Sequence, residues 1–139
     1  MLRLLSTALD VQALDGLWDR FHIVDTVFRI YPTIGSAAPA IEAVRHLQEE
    51  HELPWRDITG IKLGLPEIAV GHGATITRPT DAVTAQFSTA FSIALRLVRG
   101  RNRPQEYLDP ALWTDPDLLS VADKMPRTRR RSTPACRNC

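Results

Sequence analysis

The sequence predicts an α+β fold class: a small, mostly antiparallel sheet covered by two main amphipathic helices, with a disordered basic tail at the C-terminus. Three observations predict it. Residues 81–98 repeat apolar side chains at helical spacing, residues 36–50 do the same, and residues 21–30 and 58–65 are runs of β-formers bounded by turn residues. At 139 residues, 44% apolar and 24% charged, the chain is long enough for one core, and its composition excludes wholesale disorder and fibrous repeats.

Residues 6–18, STALDVQALDGLW, offer Ser6 or Thr7 as a cap and repeat Leu9, Ala13, Leu14 and Leu17 at helical spacing, so a short helix is expected there. In residues 21–30, Phe21, Ile23, Thr26, Phe28 and Ile30 predict a strand whose alternation slips at Asp25 and which Pro32 ends. A helix should start near Gly35–Ser36, since Pro39 suits a first turn where a missing N–H costs nothing. Ala40, Ile41, Val44 and Leu47 form its apolar face, Glu42, Arg45, Glu49 and Glu50 lie opposite, and Pro54 stops it.

A second strand is expected over 58–65, with Ile61, Leu63 and Leu65 on one face, followed by a loop over 66–78 with room for one short strand. Residues 81–98 carry the strongest pattern: Val83, Phe87, Ala90, Phe91, Ala94, Leu95 and Val98 follow a 3.6-residue period. Thr80 is the expected N-cap, Asp81 suits the positive end of the helix dipole, and Gly100 stands where a terminating glycine belongs. Short helices should follow over 104–108 or 109–113, then over 115–124 behind Asp115-Pro116-Asp117.

The net charge of +1 hides an asymmetry: all 16 acidic side chains lie in residues 1–123. Residues 124–139 hold Lys124, Arg127, Arg129, Arg130, Arg131, Arg137 and no acid. From Pro126 onward no apolar periodicity remains, so 1–125 reads as the folded domain and 126–139 as a disordered tail. No aromatic side chain interleaves with the arginines, and nucleic acid is not an expected partner. No apolar run approaches the ~20 residues of a membrane helix, and the stretch Met1–Leu9 is too short for a signal peptide, so no membrane partner and a cytoplasmic location are expected.

Candidate chemistry is sparse. Cys136 and Cys139 have the spacing of a metal or redox pair, but no histidine is near in sequence and no strand-to-helix context surrounds them, so no metal site is expected. His46 and His51 lie five apart, on different helix faces. His72, between Gly71 and Gly73, sits on a backbone free to approach a ligand closely and is kept as a candidate, although loop histidines are usually only solvated. The best physical case is the run Arg29-Ile30-Tyr31-Pro32-Thr33-Ile34-Gly35-Ser36, which leads into a helix N-terminus. Open backbone N–H groups, Arg29 and the hydroxyls of Thr33 and Ser36 make a cradle for a carboxylate, against the plainer reading of a capped turn.

In order, FRIYPTIGSAAPAIEAVRHLQEEHEL, ITGIKLGL, GHG, TDAVTAQFSTAFSIALRLVRG and a helix rich in Asp-Pro resemble the MmgE/PrpD family over about residues 17–125. That family includes 2-methylcitrate dehydratase and cis-aconitate decarboxylase, cofactor-independent lyases of propionate metabolism and related routes. The resemblance implies the smaller α+β lid domain of a protein whose all-helical domain supplies most of the catalytic histidine and acidic groups. It also implies removal of water or CO2 from a tricarboxylate-type substrate, with no cofactor, through proton abstraction next to a carboxylate.

The match has departures. Arg29 stands where the family has a lysine, Ile34 where Cys or His is frequent, Ala38 where a histidine is common, and Phe91 where a tyrosine is usual. Tyr31, Pro32 and Thr33 agree with the family pattern. The resulting expectation is a truncated or split lyase domain, inactive alone and carrying no catalytic residue, its tail a lineage-specific extension or the product of a shifted frame. The candidate substrate-binding residues are Arg29, Tyr31, Thr33, Ser36, His72 and Phe91. A helical-domain polypeptide, or self-association, would complete the site. The alternative from another class is a non-catalytic interaction or dimerisation module.

Overall fold

The computed structural model describes residues 12, 19, 21–65, 73 and 75–125. Its helices are α1 (Ala38–His51), α2 (Ala82–Phe87), α3 (Thr89–Arg99), α4 (Pro104–Leu108), α5 (Pro110–Trp113) and α6 (Pro116–Ala122), with single 3-10 turns at His22–Asp25 and Trp55–Asp57.

Helix α3 is the axis of the core. Every residue from Thr89 to Leu95 is buried, so no side of its first two turns faces water. It packs against α1 on one flank and α6 on another. Ala40 and Val44 of α1, and Leu118, Val121 and Ala122 of α6, close around Phe91, Leu95 and Tyr107. The Phe91 and Tyr107 rings meet edge to face at 6.1 Å and 77°, the geometry that sets a positive ring edge on a negative ring face.

Helix ends follow local chemistry. In α1, Pro39 occupies the first turn, as expected, and Glu52 closes the helix in a left-handed conformation at φ 48°. Asp81, rather than Thr80, caps α2 by accepting from the Thr84 N–H at 2.7 Å. Gly100 ends α3 at φ 69° and donates its N–H to the Arg96 carbonyl at 2.9 Å. Both short helices form, α4 and α5, and Asp115 caps α6 through the N–H groups of Asp117 and Leu118. Buried Glu106 secures α4: it accepts from the Arg103 N–H and pairs with Arg101 at 2.6 Å.

Two expectations are corrected. The antiparallel sheet is absent: no strand exists among the described residues. Over 58–65 the apolar residues Ile58, Ile61 and Leu63 do pack against the helical core. A strand also needs a backbone partner, and among the described residues the segment's backbone bond is that from the Ile61 N–H to the Lys124 carbonyl at 3.1 Å, just past α6. Over 21–30 the chain turns once at His22–Asp25 and then runs on without strand pairing to any described residue, and Phe21, Ile23, Val24, Val27, Phe28 and Ile30 all stand exposed.

The second correction concerns the helix expected over 81–98. It breaks at Ser88, whose backbone is extended (φ −77°, ψ 109°). The Ser88 hydroxyl accepts from the Phe91 N–H at 3.0 Å, capping α3, and donates to the Ile76 carbonyl at 2.5 Å. A 3.6-residue apolar period does not register such a break, because the periodic face continues on both sides of it.

The expected helix over 6–18, apart from Gln12, all of 66–72, and the tail with its cysteine pair lie outside the described residues. Among the described residues no helix is long and apolar enough to cross a membrane.

Candidate functional site

The Ser88 break determines what the neighbouring loop can hold. In an unbroken helix the Gln86 carbonyl would accept the Ala90 N–H four residues on. Here it accepts from the Thr33 hydroxyl at 2.5 Å and from the Ile34 N–H at 3.2 Å. The loop before α1 is thereby fastened to the junction of α2 and α3. Thr33 also reaches the Ser92 hydroxyl at 3.2 Å, and its carbonyl accepts from the Arg29 guanidinium at 3.1 Å.

This fastening shapes a hollow of about 380 Å3 lined by Val27, Phe28, Arg29, Ile30, Tyr31, Thr33, Gly35 and Ala38. Ala38 is the first residue of α1, and no side chain caps that helix. The positive end of a 14-residue helix therefore abuts the hollow beside Arg29, an arrangement suited to an anion.

Three of the six residues singled out from the sequence, Arg29, Tyr31 and Thr33, come together on this wall. Ser36 is half-buried just before α1 but does not line the hollow. Phe91 is fully buried in the core against Tyr107 and does not line the hollow either. His72 lies outside the described residues. Its neighbour Gly73 has φ +90°, and a Cβ there would collide with the Phe87 carbonyl. The close approach that its glycine permits is to protein backbone at the end of α2.

Glu42 and Arg45, on the face expected to meet solvent, do not line the hollow but are linked to its wall through Tyr31. The Tyr31 hydroxyl donates to Glu42 Oε1, and Arg45 Nε grips the other oxygen, Oε2, at 2.9 Å. Glu42 is held below the usual glutamate range, first by the Tyr31 hydroxyl and then by Arg45. Tyr31 is pushed above the usual phenol range, first by burial and then by its bond to Glu42. Near neutral pH the phenol thus keeps its proton and the carboxylate stays ionised. A group that moves protons in catalysis needs a pKa near the working pH, and these two are shifted in opposite directions. The hollow brings together a cation, a helix N-terminus and two hydroxyl groups that donate to Glu42 and to the Gln86 carbonyl.

Against known proteins, a model of the MmgE/PrpD C-terminal domain matches residues 31–134. No curated protein and no solved structure matches.

Proposed function

The chain belongs to the MmgE/PrpD family through its C-terminal domain, and from that premise we propose that it supplies the carboxylate-binding side of a lyase site whose proton-moving groups come from a helical-domain polypeptide. The substrate class is a tricarboxylate-type acid, as in 2-methylcitrate dehydratase. One observation carries the reading: Arg29, Tyr31 and Thr33 line one hollow at the N-terminus of α1.

Arg29 offers planar donors that match a carboxylate, the first turn of α1 adds N–H groups, and Tyr31 and Thr33 bound the wall. In the neighbouring Tyr31–Glu42 pair the phenol is shifted up and the carboxylate down, both away from neutrality, which supports a chain that binds but does not turn over alone. The expected result is no dehydration of 2-methylcitrate by the purified 139 residues, together with saturable binding of citrate followed by NMR and weakened by Arg29→Gln. Turnover by the isolated chain would overturn the division of labour, and citrate binding indifferent to Arg29→Gln would overturn the site.

A second reading has its own observation. Phe21, Ile23, Val24, Val27, Phe28 and Ile30 are each at least two-thirds exposed, an apolar strip of the kind that marks interaction surfaces. It favours a non-catalytic interaction or dimerisation module. Size-exclusion chromatography with light scattering separates the two readings: a monomer at all concentrations argues against the module.

A further inference from the structure

Behind the hollow lies a buried polar cluster. Tyr107 and Ser92 are 0% exposed, Thr33 5% and Asn102 7%. Asn102 Nδ2 donates to the Ser92 carbonyl at 2.8 Å and to the Tyr107 hydroxyl oxygen at 2.9 Å. Those two acceptors orient the amide, because a flipped amide would set its oxygen against the Ser92 carbonyl.

The remaining protons can be followed one at a time. The Ser92 hydroxyl gives its proton to the Ser88 carbonyl at 2.8 Å, and the Thr33 hydroxyl gives its own to Gln86 at 2.5 Å. Asn102 has given both. The Tyr107 hydroxyl oxygen is therefore tied to Thr33 in series, through Asn102 Nδ2 to Ser92 and from the Ser92 hydroxyl to that of Thr33 at 3.2 Å. With water excluded, nothing replaces a partner lost from this cluster.

We infer that Tyr107 is a positioning residue for the hollow: through Asn102, Ser92 and the Thr33 hydroxyl, its phenol holds the Arg29–Thr33 loop against the junction of α2 and α3. Tyr107 does not line the hollow, so it acts only through Thr33. The backbone link in this chain is independent of any ligand; that the positioned loop binds carboxylates rests on the function proposed above.

The test compares the whole chain with Tyr107→Phe, which keeps the ring against Phe91 and removes only the hydroxyl. The first readout is amide hydrogen exchange at Ile34, whose N–H bonds to the Gln86 carbonyl, with the Leu119 amide of α6 and the Asp123 amide at its C-terminal cap as internal references. Loss of one buried hydrogen bond should lower Ile34 protection by about tenfold beyond any change in α6. Thr33→Val should do the same, Thr33→Ser should retain protection, and Tyr107→Phe placed on Thr33→Val should add little. The second readout is citrate affinity by NMR titration, expected to weaken several-fold in Tyr107→Phe.

Ile34 and α6 losing protection together, or neither losing it, would overturn the inference. If Tyr107→Phe fails to fold, the Thr33→Val and Thr33→Ser pair decides alone. Selective loss at Ile34 in a chain that binds no citrate would support the positioning link and overturn the carboxylate reading, so the two failures are distinct.

Discussion

The two walls of the hollow are built in opposite ways. The inner wall, at Thr33, is tied by side-chain and backbone bonds to Gln86 and Ser92, over a core in which Phe91, Ser92 and Tyr107 are fully buried. The outer wall, Val27–Ile30, stands in solvent, its large side chains between 73% and 88% exposed at Val27, Phe28 and Ile30. A shared lining therefore does not mean shared stability. One wall is part of the core, and the other is a surface available to a further partner.

The largest effect should come from the core beneath the inner wall. Phe91→Ala removes a fully buried ring and is expected to cost about 3–5 kcal/mol in urea unfolding. A much smaller loss would mean that the core collapses around the gap and that the inner wall is less rigid than its packing implies. Ser88→Ala comes next, at about 1–2 kcal/mol, since it removes the cap of α3 and the tie to Ile76 together. On the outer wall Val27→Ser or Phe28→Ser should change stability by no more than ~0.5 kcal/mol. A larger loss in chemical denaturation would show that this strip is covered in solution and would erase the contrast between the walls.

The smallest effect is a titration. The Glu42 carboxylate is held low by Tyr31 and Arg45. Because the folded-state value is the depressed one, those contacts stabilise the fold above the ordinary glutamate range. Their contribution is lost as pH falls through the lowered Glu42 value. Tyr31→Phe removes the larger cause, so the carboxyl midpoint followed by carbon-13 NMR should move up toward the ordinary range and the acid-side loss of stability should lessen. An unmoved midpoint would mean that Arg45 alone holds the charge.

The contrast between the walls also explains what could be read in advance. Helix α1 and the terminating Gly100 were legible because Pro39, the apolar spacing and the glycine act within a turn or two. The residues Arg29, Tyr31 and Thr33 were legible because they are adjacent in the chain. Glu42 and Tyr107 were not, since their roles depend on partners 11 and 5 residues away in directions that only packing defines. The strands failed for a different reason. Alternation along 58–65 set Ile61, Leu63 and Leu65 on one face of a strand; Ile61 and Leu63 do pack against the core, joined by Ile58 and not by Leu65, but a side-chain pattern carries no information on which backbone will pair with the segment. Over 21–30 the same pattern indicated an apolar face with nothing described to cover it.

The bond from Thr33 to Gln86 spans 53 residues of chain, and that from Thr33 to Ser92 spans 59. Closing so long a loop costs entropy that the helices, bonded within a turn, do not spend. The hollow is therefore expected to assemble after the helices have formed and to come apart before they melt, an order that pulse-labelled amide exchange at Ile34 against the helices would check. Contacts that form after the rate-limiting step govern how fast a protein unfolds far more than how fast it folds. A small acid seated against Arg29 would accordingly register first as a longer lifetime of the native state, with the refolding rate unchanged.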